Sequence, residues 1–218
     1  MKRYLFAVIF LCQVMTGFAQ YGRGDFNHIG ISLGINQTDL FTDSFNVTPQ
    51  ASWTGGLAIR GNYYNSFAMV YGMNFTDNRF AIETNTLSAT KEVDVSLMAV
   101  QIHLLLSYRI LESAFSIDFG PVLQVNSELK YDASDENFFL TNNELLQIKD
   151  LEKITPFNFN VQVGLTGGFE NVRLNVSYQY GVTNMLNNIN KQEGISARAD
   201  GNLKGHIGVL AGNIIFYL

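Results

Sequence analysis

Apolar and polar residues alternate with a period of two along most of this chain, and the polar members are almost all uncharged. Residues 173–184, RLNVSYQYGVTN, set Leu174, Val176, Tyr178, Tyr180 and Val182 against Asn175, Ser177, Gln179, Gly181 and Thr183. A period of two is a β-strand with two unlike faces. A strand face in water carries Lys and Glu, whereas this one carries amides, hydroxyls and glycine. The pattern therefore asks which solvent each face meets.

Eight segments share it, at about 26–36, 53–64, 67–76, 94–110, 114–128, 156–169, 173–184 and 204–218. In the fourth, Val93, Val95 and Leu97 are out of phase with Val100, Ile102, Leu104 and Leu106, which predicts a β-bulge near Met98–Ala99. Short and long connections alternate. Asn65-Ser66, Glu112-Ser113 and Glu170-Asn171 are tight turns, while 37–52, 77–93, 129–155 and 184–203 are long. Antiparallel pairing alone demands no such asymmetry. A membrane barrel with turns on one side and loops on the other has it.

Charge placement agrees. The strands hold little charge beyond Arg60, Arg109, Asp118 and Arg173, and most other acids and lysines fall in the long connections. The expected fold is all-β: an eight-stranded antiparallel transmembrane β-barrel with short periplasmic turns and long extracellular loops. Its apolar faces meet lipid, and its polar faces satisfy one another inside. A soluble lipocalin-like ligand-binding barrel, apolar inside, is the alternative fold and calls for a charge-rich exterior.

The first residues read as an export signal. Lys2 and Arg3 precede the apolar run YLFAVIFLCQVM, and TGFA ends in small residues at Gly17 and Ala19. Cleavage is expected before Gln20, giving a signal peptide at 1–19 and a barrel domain at 20–218. The only cysteine, Cys12, leaves with the signal, so the mature chain builds no disulfide. The net charge of −5 and the absence of a basic run exclude a nucleic-acid partner.

Several stretches carry a resemblance: HIGISLGIN in the first strand, LLLSYRI before a short turn, FSIDFGPVLQVN with Gly120-Pro121 inside a strand, RLNVSYQYGVTNM, and the closing GNIIFYL. Together they resemble the outer-membrane β-barrel domain of Bacteroidetes-type bacteria known as PorT-like, over about residues 26–218. The resemblance implies a place in the cell outer membrane, contact with outer-membrane lipid, assembly by the barrel-assembly machinery through the C-terminal strand, and an envelope or secretion-system protein as partner. The final residue departs from the aromatic ending usual in such barrels: it is Leu218, with Phe216 two before it.

No catalytic or metal constellation emerges. His28, His103 and His206 share no ligand spacing, and the long loops contain no histidine to act as a base, so neither enzyme nor cofactor is expected. The RGD at 23–25 and the Asn-x-Ser/Thr triplets read as chance. Arg60, Arg109, Asp118 and Arg173 lie near the short-turn ends on the polar face. They form a candidate interior cluster in which Asp118 pairs directly with an arginine. Thr141 and Glu144 have capping-box spacing, and Leu145, Ile148 and Leu151 recur every three residues. These predict a short amphipathic helix over 141–154 that covers the mouth or presents a loop interaction surface.

Three functions are open at this stage: a plugged, non-enzymatic barrel acting through its loops, a narrow channel for small solutes, and the soluble binding barrel. Topology is directly testable. Cysteines at Asp135 and Lys191 are expected to react with an impermeant thiol reagent on intact cells, and a cysteine at Asn65 is not; the opposite pattern refutes the topology.

Overall fold

A computed structural model describes residues 28–85, 89–111, 114–169, 171–192, 194–199 and 201–218. The expected signal peptide at 1–19 with Cys12, the RGD, Glu112-Ser113 and Glu170 lie outside these residues.

The strands are β1 (His28–Phe41), β2 (Val47–Tyr64), β3 (Phe67–Asn85), β4 (Thr90–Leu111), β5 (Phe115–Asn126), β6 (Phe139–Leu140), β7 (Asn143–Gln147), β8 (Phe157–Gly168), β9 (Val172–Gly181) and β10 (His206–Tyr217). The sheet thus has ten strands, not the expected eight. It closes on itself through antiparallel neighbours in the order β2-β1-β10-β9-β8-β5-β4-β3, with β3 returning to β2. The two additional strands are a small hairpin, β6–β7, hung on the far end of β3 through Thr84↔Leu140 and Asn85↔Phe139. Closure leaves the ring without an open edge in lipid.

Tight turns end one side. Asn65 takes a left-handed φ of 48° between β2 and β3. Gly168 has φ 146°, and a Cβ there would stand 2.4 Å from the Val172 carbonyl oxygen, so the β8–β9 turn requires glycine.

Outside the ring the apolar residues are exposed: Ile35 is 71 % accessible, Leu174 59 % and Val176 56 %. Aromatic side chains gather at both margins, with Tyr63, Tyr64, Tyr108 and Phe169 toward the short turns and Trp53, Phe157, Tyr178 and Tyr180 toward the loops. Such a band suits hydrocarbon with aromatic girdles at its interfaces. It does not suit the soluble reading, because the apolar face is the outer one.

The phase change in β4 is not a bulge. Pairing with β3 runs unbroken from Phe67↔Tyr108 to Asn85↔Thr90. Val93, Val95 and Leu97 point inward in the same phase as Gln101, His103 and Ser107. What changes along β4 is the chemistry of its two faces. Near the short turns it is apolar outside and polar inside; near the loops it is apolar inside, with Glu92 and Asp94 outside. The register irregularities in these strands lie elsewhere, between Pro49 and Thr54 and between Asn62 and Tyr64 of β2, and between Arg109 and Leu111 at the short-turn end of β4.

This reversal lengthens the first four strands beyond expectation. The supposed long connections 37–52 and 77–93 are mostly strand, and only 42–46 and 86–89 lie between β1 and β2 and between β3 and β4. Asp77, Glu83 and Glu92 resembled loop residues because they are charged, yet they sit on strands that have risen into water.

The extended strands enclose a second core over the ring's mouth. Phe80 and Ile82 of β3 and Val93, Val95 and Leu97 of β4 pack with Ile148 and Leu151 from residues 127–156, and with Met185, Leu186 and Ile189 from residues 182–205. We call this assembly the cap. The predicted helix over 141–154 is absent. Asn143–Gln147 is strand and Ile148–Leu151 a 3-10 turn, closed by Gln147 N–H donating to Asp150 Oδ2 at 3.0 Å. Pairing with β6 wins over helix propensity because it buries Leu146 and Ile148 completely. Ile148 and Leu151 therefore belong to the cap core, and of the three predicted surface residues only Leu145 is exposed. Asp135 is buried too, 2.7 Å from Lys91 Nζ, so the labelling cysteine is better placed at the exposed Glu136.

Two substitutions test the reversal. Val176→Arg, in the lipid band, is expected to cost about 2–4 kcal/mol near the bilayer midplane. Val95→Asp, inside the cap, is expected to loosen the loops, read as faster protease cleavage within 127–156, while leaving the heat-modifiable gel mobility of the ring intact. Equal effects of both on ring mobility contradict this division.

Candidate functional site

The inward face is continuous from cap to turns, and its chemistry is layered. Below the cap's apolar core lies a ladder of amides. Gln101 Nε2 donates to Gln124 Oε1 at 2.9 Å and to Gln179 Oε1 at 3.1 Å, and Asn160 Nδ2 donates to Gln124 Oε1 at 2.8 Å. His103 joins it, with Nδ1 2.8 Å from Gln162 Oε1 and Nε2 3.3 Å from Asn74 Nδ2. Asn36 Nδ2 donates to Thr76 Oγ1 at 2.6 Å. Each amide offers both donors and an acceptor, so a ring of them can satisfy itself without net charge.

The charges lie lower. Asp118 is buried on β5, where its carboxylate accepts from Ser116 Oγ at 3.2 Å and from Thr166 Oγ1. Asn175 Nδ2 donates to Thr166 Oγ1 at 2.9 Å and so fixes that hydroxyl. Arg60 is buried on β2 and donates through Nη2 to Ser107 Oγ at 2.6 Å and Ser116 Oγ at 3.1 Å. Ser116 thus joins the guanidinium to the carboxylate.

Among the described residues Asp118 forms no direct ion pair with Arg60, Arg109 or Arg173, contrary to expectation. Cross-lumen neighbours are set by strand stagger, which brings hydroxyls between the charges. Arg173 is buried on β9, opposite Gly168 of β8 and Ile215 of β10. Arg109 does not enter the lumen cluster: it sits half-buried at the rim, and its Nη2 donates to the Asn65 carbonyl in the β2–β3 turn. The hydroxyls of Ser107, Ser116 and Thr166 were not singled out from the sequence. Their phase put them on the polar face, but nothing in it assigned them partners.

The lumen is nearly full. The cavity within it measures about 60 Å³ and is lined by Ser32, Asn74, His103, Asp118 and Tyr217 among others. That accommodates a few water molecules and is not a solute path. The histidines stand far apart: His28 against Tyr217 near the short turns, His103 in the ladder, and His206 against Tyr180 at the loop end. Among the described residues no three His, Cys, Asp or Glu side chains are grouped to hold a metal ion.

In the cap, Arg198 grips Asp150 with both terminal nitrogens, at 2.8 and 2.9 Å, tying residues 182–205 to 127–156. That hydrogen bond holds the guanidinium above its ordinary pKa. Burial, then the nearby Glu152 and Glu136, push the Tyr131 hydroxyl up.

A ring with this inside-out polarity matches known proteins. The family model of the outer membrane protein beta-barrel domain matches residues 18–187. The chain belongs to that family. Among solved structures, Neisserial surface protein A is similar over 90 % of this chain and 100 % of its own, at 12 % identity and a TM-score of 0.50. OprG from Pseudomonas aeruginosa is similar over 89 % of this chain and 97 % of its own, at 11 % identity and a TM-score of 0.48. The likeness to the Neisserial protein shows a shared fold and nothing finer. No curated protein matches the sequence. The protein is an outer-membrane β-barrel.

The charge cluster yields a graded prediction. Asp118→Ala removes the acceptor of two buried hydroxyls and the counter-charge of Arg60. The cost expected is about 2–3 kcal/mol, below the roughly 3–5 kcal/mol of a broken direct pair. Asp118→Asn, which keeps an acceptor, is expected to cost less. Urea unfolding in lipid vesicles checks the order, and equal costs contradict it.

Proposed function

We propose that the protein is a filled outer-membrane barrel that works through its cap, as a PorT-like structural or interaction component of the envelope or an accessory of a secretion system, without chemistry of its own. The observation that carries this reading is the cap core. Leu97, Ile148 and Met185 seal the loop end with apolar side chains, above a lumen whose amides bond one another. A pore needs a continuous polar path, and a rim enzyme needs a base beside a nucleophile. A folded, sealed cap supplies instead a rigid surface in water, of the kind proteins use for recognition.

In this reading the short turns face the periplasm, export follows cleavage before Gln20, and β10 is the strand offered to the assembly machinery. The partner is an envelope protein that meets the cap near the exposed Leu145.

Planar-bilayer recording tests the central point. The refolded barrel is expected to pass no steady single-channel current; a steady current revives the narrow-channel reading. A photo-crosslinker at Leu145 in living cells is expected to capture an envelope protein that the same group at the lipid-facing Leu174 does not. Capture at both positions alike counts against the cap as the docking face.

A further inference from the structure

The lipid band of β1, β9 and β10 ends in a built recess. Going toward the cap, β9 presents Leu174, Val176, Tyr178 and Tyr180 outward, and β10 presents Ile214, Leu210, Gly208 and His206. No basic group interrupts these outward faces until His206, followed two residues before it in the chain by the exposed Lys204. There a side recess of about 610 Å³ opens between the β1–β2 turn and residues 204–206, with Phe41, Phe45 and Val47 on its apolar walls and Asp43, Lys204 and His206 on its polar ones.

The aromatic side of this recess is fixed. Phe41 pairs with His206 across β1 and β10, and the His206 ring stacks on Tyr180 at 5.8 Å and 10°. Phe41 lies 6.3 Å from Tyr180. A Cβ on Gly208 would come within 2.5 Å of the Phe41 ring and 3.0 Å of Tyr178 Oη, so glycine lets both rings lie against the strand. His206 Nδ1 stands 2.9 Å from the Gly181 carbonyl, which can only accept. Nδ1 therefore carries a proton, and Nε2 offers a second donor to an anion in the imidazolium form of the ring. Lys204 forms no ion pair among the described residues, with Asp43 or any other acid.

We propose that this recess binds the phosphate headgroup of a membrane lipid in the leaflet at the cap end, with Lys204 and His206 on the phosphate and an acyl chain along Tyr178, Leu210 and Val176. Continuity with the lipid face selects a lipid over a free anion: a chain lying on that face delivers its headgroup to Lys204 and His206 above it. Rings beneath the headgroup and a cation beside it are the arrangement that suits a bilayer interface. Asp43 opposes the anion, so retention depends on the acyl chain's contacts as well as on Lys204. The proposal rests on the outer-membrane reading but not on the identity of any protein partner. The cysteine labelling above decides orientation separately, so the two can fail independently.

Native mass spectrometry of the refolded barrel in a neutral detergent with EDTA tests it, using diphosphoryl lipid A and a neutral glycosyl diacylglycerol as probes. The wild type is expected to retain the phosphorylated lipid and not the neutral one. Lys204→Ala combined with His206→Gln, which keeps a donor for the Gly181 carbonyl, is expected to weaken retention about tenfold, the sum of one exposed charge contact and one histidine hydrogen bond. Asp43→Asn is expected to strengthen it, and Lys191→Ala, elsewhere on the cap, to leave it unchanged. Heat-modifiable mobility confirms that each variant is folded. Equal retention by the double variant, equal retention of the neutral lipid, or displacement by millimolar inorganic phosphate each overturns the proposal.

Discussion

In hydrocarbon a polar atom cannot turn to water, and this constraint orders the whole molecule. Backbone groups meet it by closing the ring, so that β3 pairs with β2 and β1 with β10. Side chains meet it by pointing inward, where Gln101, Gln124, Gln162 and Gln179 exchange hydrogen bonds. Once the ring is closed and these amides are paired little space is left, and a filled lumen follows from the requirement rather than being added to it. Even the charges obey it: Arg60 donates to the hydroxyls of Ser107 and Ser116, and Asp118 accepts from those of Ser116 and Thr166.

Where the strands leave the bilayer the constraint reverses. Glu92 and Asp94 can now face out, and Val93 and Val95 must face in. One uninterrupted strand serves both environments because the backbone is indifferent to which face is apolar. The cap is therefore a small water-soluble core built on the upper ends of membrane strands. Its loops are held by burial of residues such as Ile148 and Met185, with Lys91–Asp135 and Arg198–Asp150 fastening the edges.

The sequence made the ring legible because alternation is local: Val176 and Asn175 declare their faces without reference to any other strand. It also displayed the reversal at Val93–Leu97, but a change of phase looks the same whether an extra residue has shifted the strand or the solvent has changed. Only the unbroken β3–β4 register separates the two. The spacing of Leu145, Ile148 and Leu151 misled for a related reason. A three-residue recurrence fits a helix, yet it also arises where a strand ending at Gln147 runs into a turn, and the choice is made by β6, a partner formed elsewhere in the chain. The contacts of Asp118 were beyond reach because they depend on stagger around the closed ring. Thr166 lies 48 residues away in sequence, and no periodicity records that distance.

The same reasoning bears on where recognition can occur. Residues under lipid are fixed by what each must satisfy: altering Gln101 disturbs Gln124 and Gln179 together, so the lumen has little freedom to acquire a ligand. The interface is freer. At Lys204, Asp43 and Leu145 a side chain meets water, headgroup or partner and answers to few neighbours. Binding can be gained or lost there without cost to the ring, which concentrates the protein's capacity for recognition at the upper rim and the cap surface, above a barrel whose own chemistry is spent on holding itself closed.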